Sequence, residues 1–125
     1  MQRSGKKREG HALGQVGRDG EAVAHYGEAL GLQPNYAAAH KNYGVALARV
    51  GRIDEAIAEY HKTLEIDQDD AEAYNDLGVA LFKLGRIDQA VSSFQQALEL
   101  EPGDHAAQGN LVRAQATGLQ ATGSK

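Results

Sequence analysis

The residues of this chain that most resemble a reactive set are five histidines, at positions 11, 25, 40, 61 and 105, and the acidic run Asp67 to Glu72. Histidine serves as a metal ligand or a proton carrier near neutral pH. A helical metal pair needs two of them at i and i+4 on one face. No two are so spaced. His40 takes a slot filled by Tyr74 one period later, which predicts a packed imidazole; His25 and His61 lie beside aromatic positions on outer helix faces. The stretch "DQDDAE" opens like a calcium loop but lacks the central glycine and the closing bidentate Glu. It reads better as a link, with Asp69 or Asp70 capping the next helix. With no cysteine there is no thiolate, no disulfide and no Cys-based zinc site. No Ser-His-Asp set, phosphate-cradling loop or carboxylate pair is legible. The expectation is a non-enzymatic protein that needs no metal and no cofactor.

The elements that carry these residues are spelled out by repetition. Gly17, Gly51 and Gly85 recur at a step of 34 residues. The same step links Gly10, Gly44 and Gly78; Leu13, Leu47 and Leu81; Ala22, Ala56 and Ala90; Tyr26, Tyr60 and Phe94; and Leu30, Leu64 and Leu98. So many gapless columns mark a stacked repeat. Within a unit, His40, Tyr43, Gly44, Leu47 and Val50 form one helical stripe, as do Tyr74, Leu77, Gly78, Leu81 and Leu84. After Gly-Arg comes a second stripe: Ala56, Ile57, Tyr60 and Leu64, then Ala90, Val91, Phe94 and Leu98. Gly51 and Gly85 stand where a left-handed residue ends a helix, and Asp54 and Asp88 where an N-cap would start the next. Each unit is predicted to be a helix hairpin. Gly44 and Gly78 with Ala56 and Ala90 would let its arms cross closely, and Tyr60 and Phe94 would fill the space opening away from that crossing. Arg52 can reach the carbonyls that end the preceding helix.

The chain ends are less regular. Lys6 and Glu9 stand in slots held downstream by His40 and Tyr43, and Gly5, Gly10, Gly14 and Gly17 oppose helix formation. The first helix is expected to be short or frayed, leaving Glu21–Leu30 poorly covered. After Pro102 one further helix, capped by Asp104, keeps Leu111 in the buried slot. Its Gln108 and Gln115 suit a solvent-facing cap. The organisation expected is a basic tail (1–8), units at 9–34, 35–68 and 69–102, a capping helix at 103–118 and a second tail at 119–125.

Composition narrows the function further. The 125 residues are 42% hydrophobic with a net charge of −4, the size and balance of one globular domain. The first eight residues contribute four positive charges, so the remainder carries −8 and does not attract nucleic acid. No stretch approaches the roughly 18 apolar residues of a membrane span, and the basic start leads into no apolar segment. A cytoplasmic protein is expected.

The repeat resembles the tetratricopeptide repeat (TPR) family. Tyr74, Leu77, Gly78, Leu81, Ala90, Phe94, Ala97 and Pro102 meet its pattern, as do Tyr43, Gly44, Leu47, Ala56 and Tyr60, with departures at Thr63 and Gln68. The resemblance implies an all-α fold, a right-handed superhelical solenoid of helix hairpins. It also implies a protein–protein interaction scaffold with a concave groove for an extended peptide. The stripe facing that groove would carry Ala38, Asn42, Val45 and Arg49 with Lys41 beside it, then Glu72, Asp76, Val79 and Lys83 with Asn75 beside it, then Ala106, Asn110 and Arg113. TPR co-chaperones grip a terminal carboxylate with Lys, Arg and Asn on this stripe. Asn42 matches that clamp, but Ser4 and Arg8 fill other clamp slots, and Glu72 and Asp76 would repel the carboxylate. The asparagine ladder of O-linked N-acetylglucosamine transferase repeats is matched by Asn42 and Asn110 and interrupted by Asp76. The expected ligand is a peptide with a basic residue opposite the third unit, on an apolar floor of Val45 and Val79. The alternatives are a self-assembling unit pairing through its weak first repeat, or a regulatory part of a larger enzyme.

Overall fold

The computed structural model describes residues 11–123. Among them are six helices and no strand: α1 (His11–Leu32), α2 (Ala37–Arg49), α3 (Ile53–Ile66), α4 (Ala71–Lys83), α5 (Ile87–Leu100) and α6 (His105–Gly123). The basic segment 1–8 lies outside the described residues. Each helix packs on the next, α2 with α3 and α4 with α5 most closely, and α4 also touches α2 and α6. The chain is a solenoid of helix hairpins.

The two inner hairpins close by one device. Gly51 and Gly85 have φ of 89° and 80°, the left-handed region that a side chain disfavours. The Gly51 N–H bonds the Ala48 carbonyl at 3.0 Å and the Arg52 N–H bonds that of Leu47 at 2.8 Å. Gly85 and Arg86 repeat this on Phe82 and Leu81 at 2.9 and 3.0 Å. That paired closure satisfies carbonyls a helix end leaves free. It also makes Arg52 and Arg86 the residues immediately before α3 and α5, where their carbonyls accept from Ala56 and Ala90. Asp54 and Asp88 are therefore not N-caps as expected; they lie inside the first turn, where their charge still meets the positive helix end. The Arg52 side chain turns to Glu55, with two bonds of 2.6 Å, and leaves carbonyl capping to its own backbone N–H. Asp70 and Asp104 are the true side-chain caps, accepting from Ala73 and from Ala106 and Ala107.

Packing within a hairpin corrects a second expectation. Tyr60 and Phe94 do not lie away from the helix crossing; their rings lie on Gly44 and Gly78. A Cβ built on those glycines would stand 2.6 Å from Tyr60 Cε1 and 2.5 Å from Phe94 Cε1. The aromatic needs the glycine, which is why the two columns travel together. Around them Leu47, Ala56, Leu77, Leu81 and Ala90 complete a core that runs between the units.

His40 is a packed side chain, held at both ring nitrogens. Nε2 donates to the Pro34 carbonyl at 2.6 Å, and Nδ1 lies 2.6 Å from Glu59 Oε1 on α3. Both side chains are buried, so the pair fastens the α1–α2 link to the second hairpin.

The ends depart from the regular plan. No turn occurs at Gly17: α1 is continuous from His11 to Leu32. The unit lacks the anchor of the other turns, because Asp19 and Gly20 stand where Ile53 and Asp54, or Ile87 and Asp88, start a new helix. The helix α6 continues to Gly123, beyond the expected limit at 118. Its Gln108 and Gln115 are exposed and Leu111 is half-buried.

Candidate functional site: the concave groove

The first arms of the hairpins, α2 and α4, and the cap helix α6 line one side of the solenoid. Spacing of three and four residues places one stripe of each on that surface. Asn42 and Arg49 on α2, Glu72 and Lys83 on α4 and Arg113 on α6 are exposed, whereas Lys41, Val45, Asn75, Asp76, Val79 and Asn110 are half-buried.

Neighbouring helices turn several of these residues toward one another. Lys41 reaches from α2 to Asp70 at 2.9 Å and Glu72 at 2.8 Å. Burial pulls its ammonium down, but the bonds to Glu72 and Asp70 outweigh that and hold it above its ordinary value. Lys41 is thus a tie between units, with two of its donors already committed. The Asn110 amide donates to Asn75 at 3.1 Å, and Arg113 donates to the Asn110 carbonyl at 3.1 Å. The asparagine slot on α6 is therefore engaged with its neighbours, and of the two ladder positions only Asn42 is exposed.

Two hollows remain. One, of about 680 Å³, has Asp67, Asp69, Asp70, Glu72, Asp76, Glu101 and Asp104 in its lining, with Asn75. The other is a notch of about 160 Å³ between α2 and α4, lined by Val45, Ala48, Tyr60, Val79 and Ala80, with Arg49 and Lys83 on its rim. Asp76 lines both. It makes no hydrogen bond or ion pair among the described residues. Burial, reinforced by Glu72 and Asp70 against the opposing pull of Lys41, pushes its carboxyl up to about 6. Below it, burial and the charge of Asp76 hold the Tyr60 hydroxyl far above its ordinary value despite Arg49, so it stays neutral as an apolar-bodied floor with a polar tip.

The structure thus brings Val45, Arg49, Asp76, Val79 and Lys83 around one notch. It sets Glu72 and Asn75 in the acidic hollow and leaves Asn42 on open surface. The sequence pattern does not reveal Tyr60 as part of the floor, because its column reads as core. Nor does it reveal Asp70 as partner to Lys41; the two are 29 positions apart and no periodicity joins them. Among the described residues no group of three or more His, Asp or Glu is arranged to hold a metal, and no helix is long and apolar enough to cross a membrane.

A chain of helix hairpins repeating at 34 residues, with glycine under each inner aromatic, defines a class of helical-repeat scaffolds. Family models described as tetratricopeptide repeat match residues 8–36 and 71–104, and one described as TPR repeat matches 50–85. The chain belongs to the tetratricopeptide repeat family. No curated protein sequence matches it. Among solved structures, the first TPR domain of human RPAP3 is similar, with a TM-score of 0.82 at 22% identity over 95% of this chain and 94% of that one. The first TPR of Spaghetti (RPAP3), bound to the HSP90 peptide SRMEEVD, gives 0.79 at 22% over 89% and 88%. The Arabidopsis OM64 TPR domain gives 0.76 at 28% over 89% and 92%.

Proposed function

We propose that this protein is a non-catalytic scaffold whose groove holds an extended peptide segment, with a Lys or Arg of the ligand against Asp76. The observation that carries the reading is the unpaired Asp76 carboxylate, set half-buried between the acidic hollow and the apolar notch. No side chain bonds that carboxylate, although Lys41 acts on it from a distance and Arg49 and Lys83 line the same notch. A ligand cation with an apolar neighbour would bond it directly while filling the notch. Asn42 offers a donor and an acceptor to the ligand backbone. The HSP90 peptide of the Spaghetti structure, SRMEEVD, is rich in acids; Glu72 and Asp76 suit the opposite charge here. The absence of cysteine accords with a cytoplasmic setting.

Selection from a random peptide library tests this. Wild type should enrich sequences with a Lys or Arg next to a small apolar residue, and Asp76→Lys should lose that preference. Enrichment of acidic sequences or of a free C-terminal carboxylate would refute it.

A further inference from the structure

Asp76 is half-buried on α4, lines both hollows of the groove, and makes no hydrogen bond or ion pair among the described residues. The charges about it divide by side. On the acidic side stand Glu72 of its own helix, Asp67, Asp69 and Asp70 in the link before it, and Glu101 and Asp104 in the link before α6. Glu72 and Asp70 repel its charge. On the notch side stand Arg49 of α2, Lys83 of α4 and Tyr60 of α3, and none of them bonds it. Lys41 of α2 attracts it from a distance but spends its own bonds on Asp70 and Glu72. Neither α5 nor α6 sends a charged side chain into either hollow.

A carboxyl in that setting has two ways to be stable. With no cation bonded to it, the neutral form is favoured, because burial withholds water from the charge and two neighbouring acids repel it. A bonded cation reverses the balance by making the ionised form the better partner. The proton and a ligand's ammonium or guanidinium therefore compete for one group, and each weakens the hold of the other by the same factor. Burial with Glu72 and Asp70 pushes the carboxyl up to about 6 while the groove is empty, so the competition falls just below neutral pH.

We propose that the groove exchanges a proton for its ligand: Asp76 is protonated in the free protein in mild acid, and a ligand Lys or Arg expels that proton on entering the notch. In the exchange the O–H bond of the Asp76 carboxyl breaks, the proton passes to the buffer, and an N–H of the ligand cation donates to the oxygen left behind. The inference rests on the groove reading above and adds its regulation. The scaffold holds a cationic segment at neutral pH and releases it in acid.

Two measurements on the full chain test the exchange, and the first needs no ligand. The carbon-13 signal of the Asp76 carboxyl, assigned by its loss in Asp76→Asn, is followed by NMR against pH. It should titrate near 6, and Glu72→Gln, which removes a repelling charge and a bond from Lys41, should move the midpoint down. A wild-type midpoint at the ordinary 3.8 would overturn the proposal. The second is calorimetric titration with a library-selected peptide carrying Lys opposite Asp76, at pH 6 in phosphate and in imidazole buffer. The two heats should differ through the proton released, and should nearly coincide at pH 7.5. Affinity should fall about tenfold from pH 7.5 to pH 5, whereas that of Asp76→Asn should hold constant. Buffer-independent heat at pH 6, or affinity unchanged at pH 5, would overturn the exchange while a preference for the Lys peptide at pH 7.5 upholds the groove reading. No such preference at pH 7.5 would sink the groove reading and the exchange with it.

Discussion

At the scale of single residues, the chain shows two kinds of position, those fixed by packing and those left available. Gly44 and Gly78 belong to the first kind. Replacing either with Ala drives a methyl into a buried ring and should cost about 1–3 kcal/mol, read as a lower Tm by calorimetry with the helical circular dichroism retained. His40→Ala removes the imidazole from the buried Glu59 Oε1, leaving the carboxylate only Lys62 on its other oxygen, and should cost about 1 kcal/mol. Asp76 is of the second kind. Its folded carboxyl titrates near 6, against an ordinary 3.8, so the folded state holds the proton more tightly than the unfolded one. Its contribution to stability is complete below about pH 4 and is lost as pH rises through 6. Asp76→Asn should therefore raise Tm at pH 7.5, and the gain should shrink toward pH 4.5; an unchanged gain across that range would show that burial is not what perturbs the group. The sequence marks Asp76 as an odd acid in a variable stripe. Its lack of a partner is not readable there, because it depends on Lys41, whose charge acts on it, being bonded to Asp70 and Glu72.

At the scale of elements, legibility depends on how directly a residue type dictates a conformation. Gly51 and Gly85 are readable as helix ends because few other residues accept their φ. Gly51→Ala or Gly85→Ala should each cost about 1–2 kcal/mol through that backbone strain alone, measurable by urea unfolding with an unchanged m-value. The caps of α3 and α5 are not readable in the same way. The closing bonds of one helix already use Arg52 and Arg86, which leaves no residue between closure and the next helix for Asp54 or Asp88 to precede. The same columns overstate the first unit. Gly17 and Arg18 match the turn, but the conformation also depends on the next two residues, and Asp19-Gly20 does not anchor a new helix as Ile53-Asp54 does. A shared column is evidence for a shared slot, and the turn needs its whole neighbourhood.

At the scale of the whole molecule, packing and the proposed recognition surface use different faces of the same helices. The recurring columns build a solenoid that could carry many ligands; the positions that differ between units give this one its charge. Lys41, Asn75 and Asn110 are readable as groove positions, yet they act largely as ties between units, which the one-dimensional pattern does not distinguish from free contacts. The surface proposed for a ligand is the Asp76 notch, with Lys83 and the Asp19-paired Arg49 on its rim, and Asn42 on the open surface of α2. The most direct test is calorimetric titration of wild type at pH 7.5 with two peptides from the library selection, identical except for Lys or Glu at the position opposite Asp76. The Lys peptide should bind at least about tenfold more tightly, a difference of about 1.4 kcal/mol, and Asp76→Asn should erase most of it. Equal affinities, or tighter binding of the Glu peptide, would contradict the assignment of this groove to a cationic ligand.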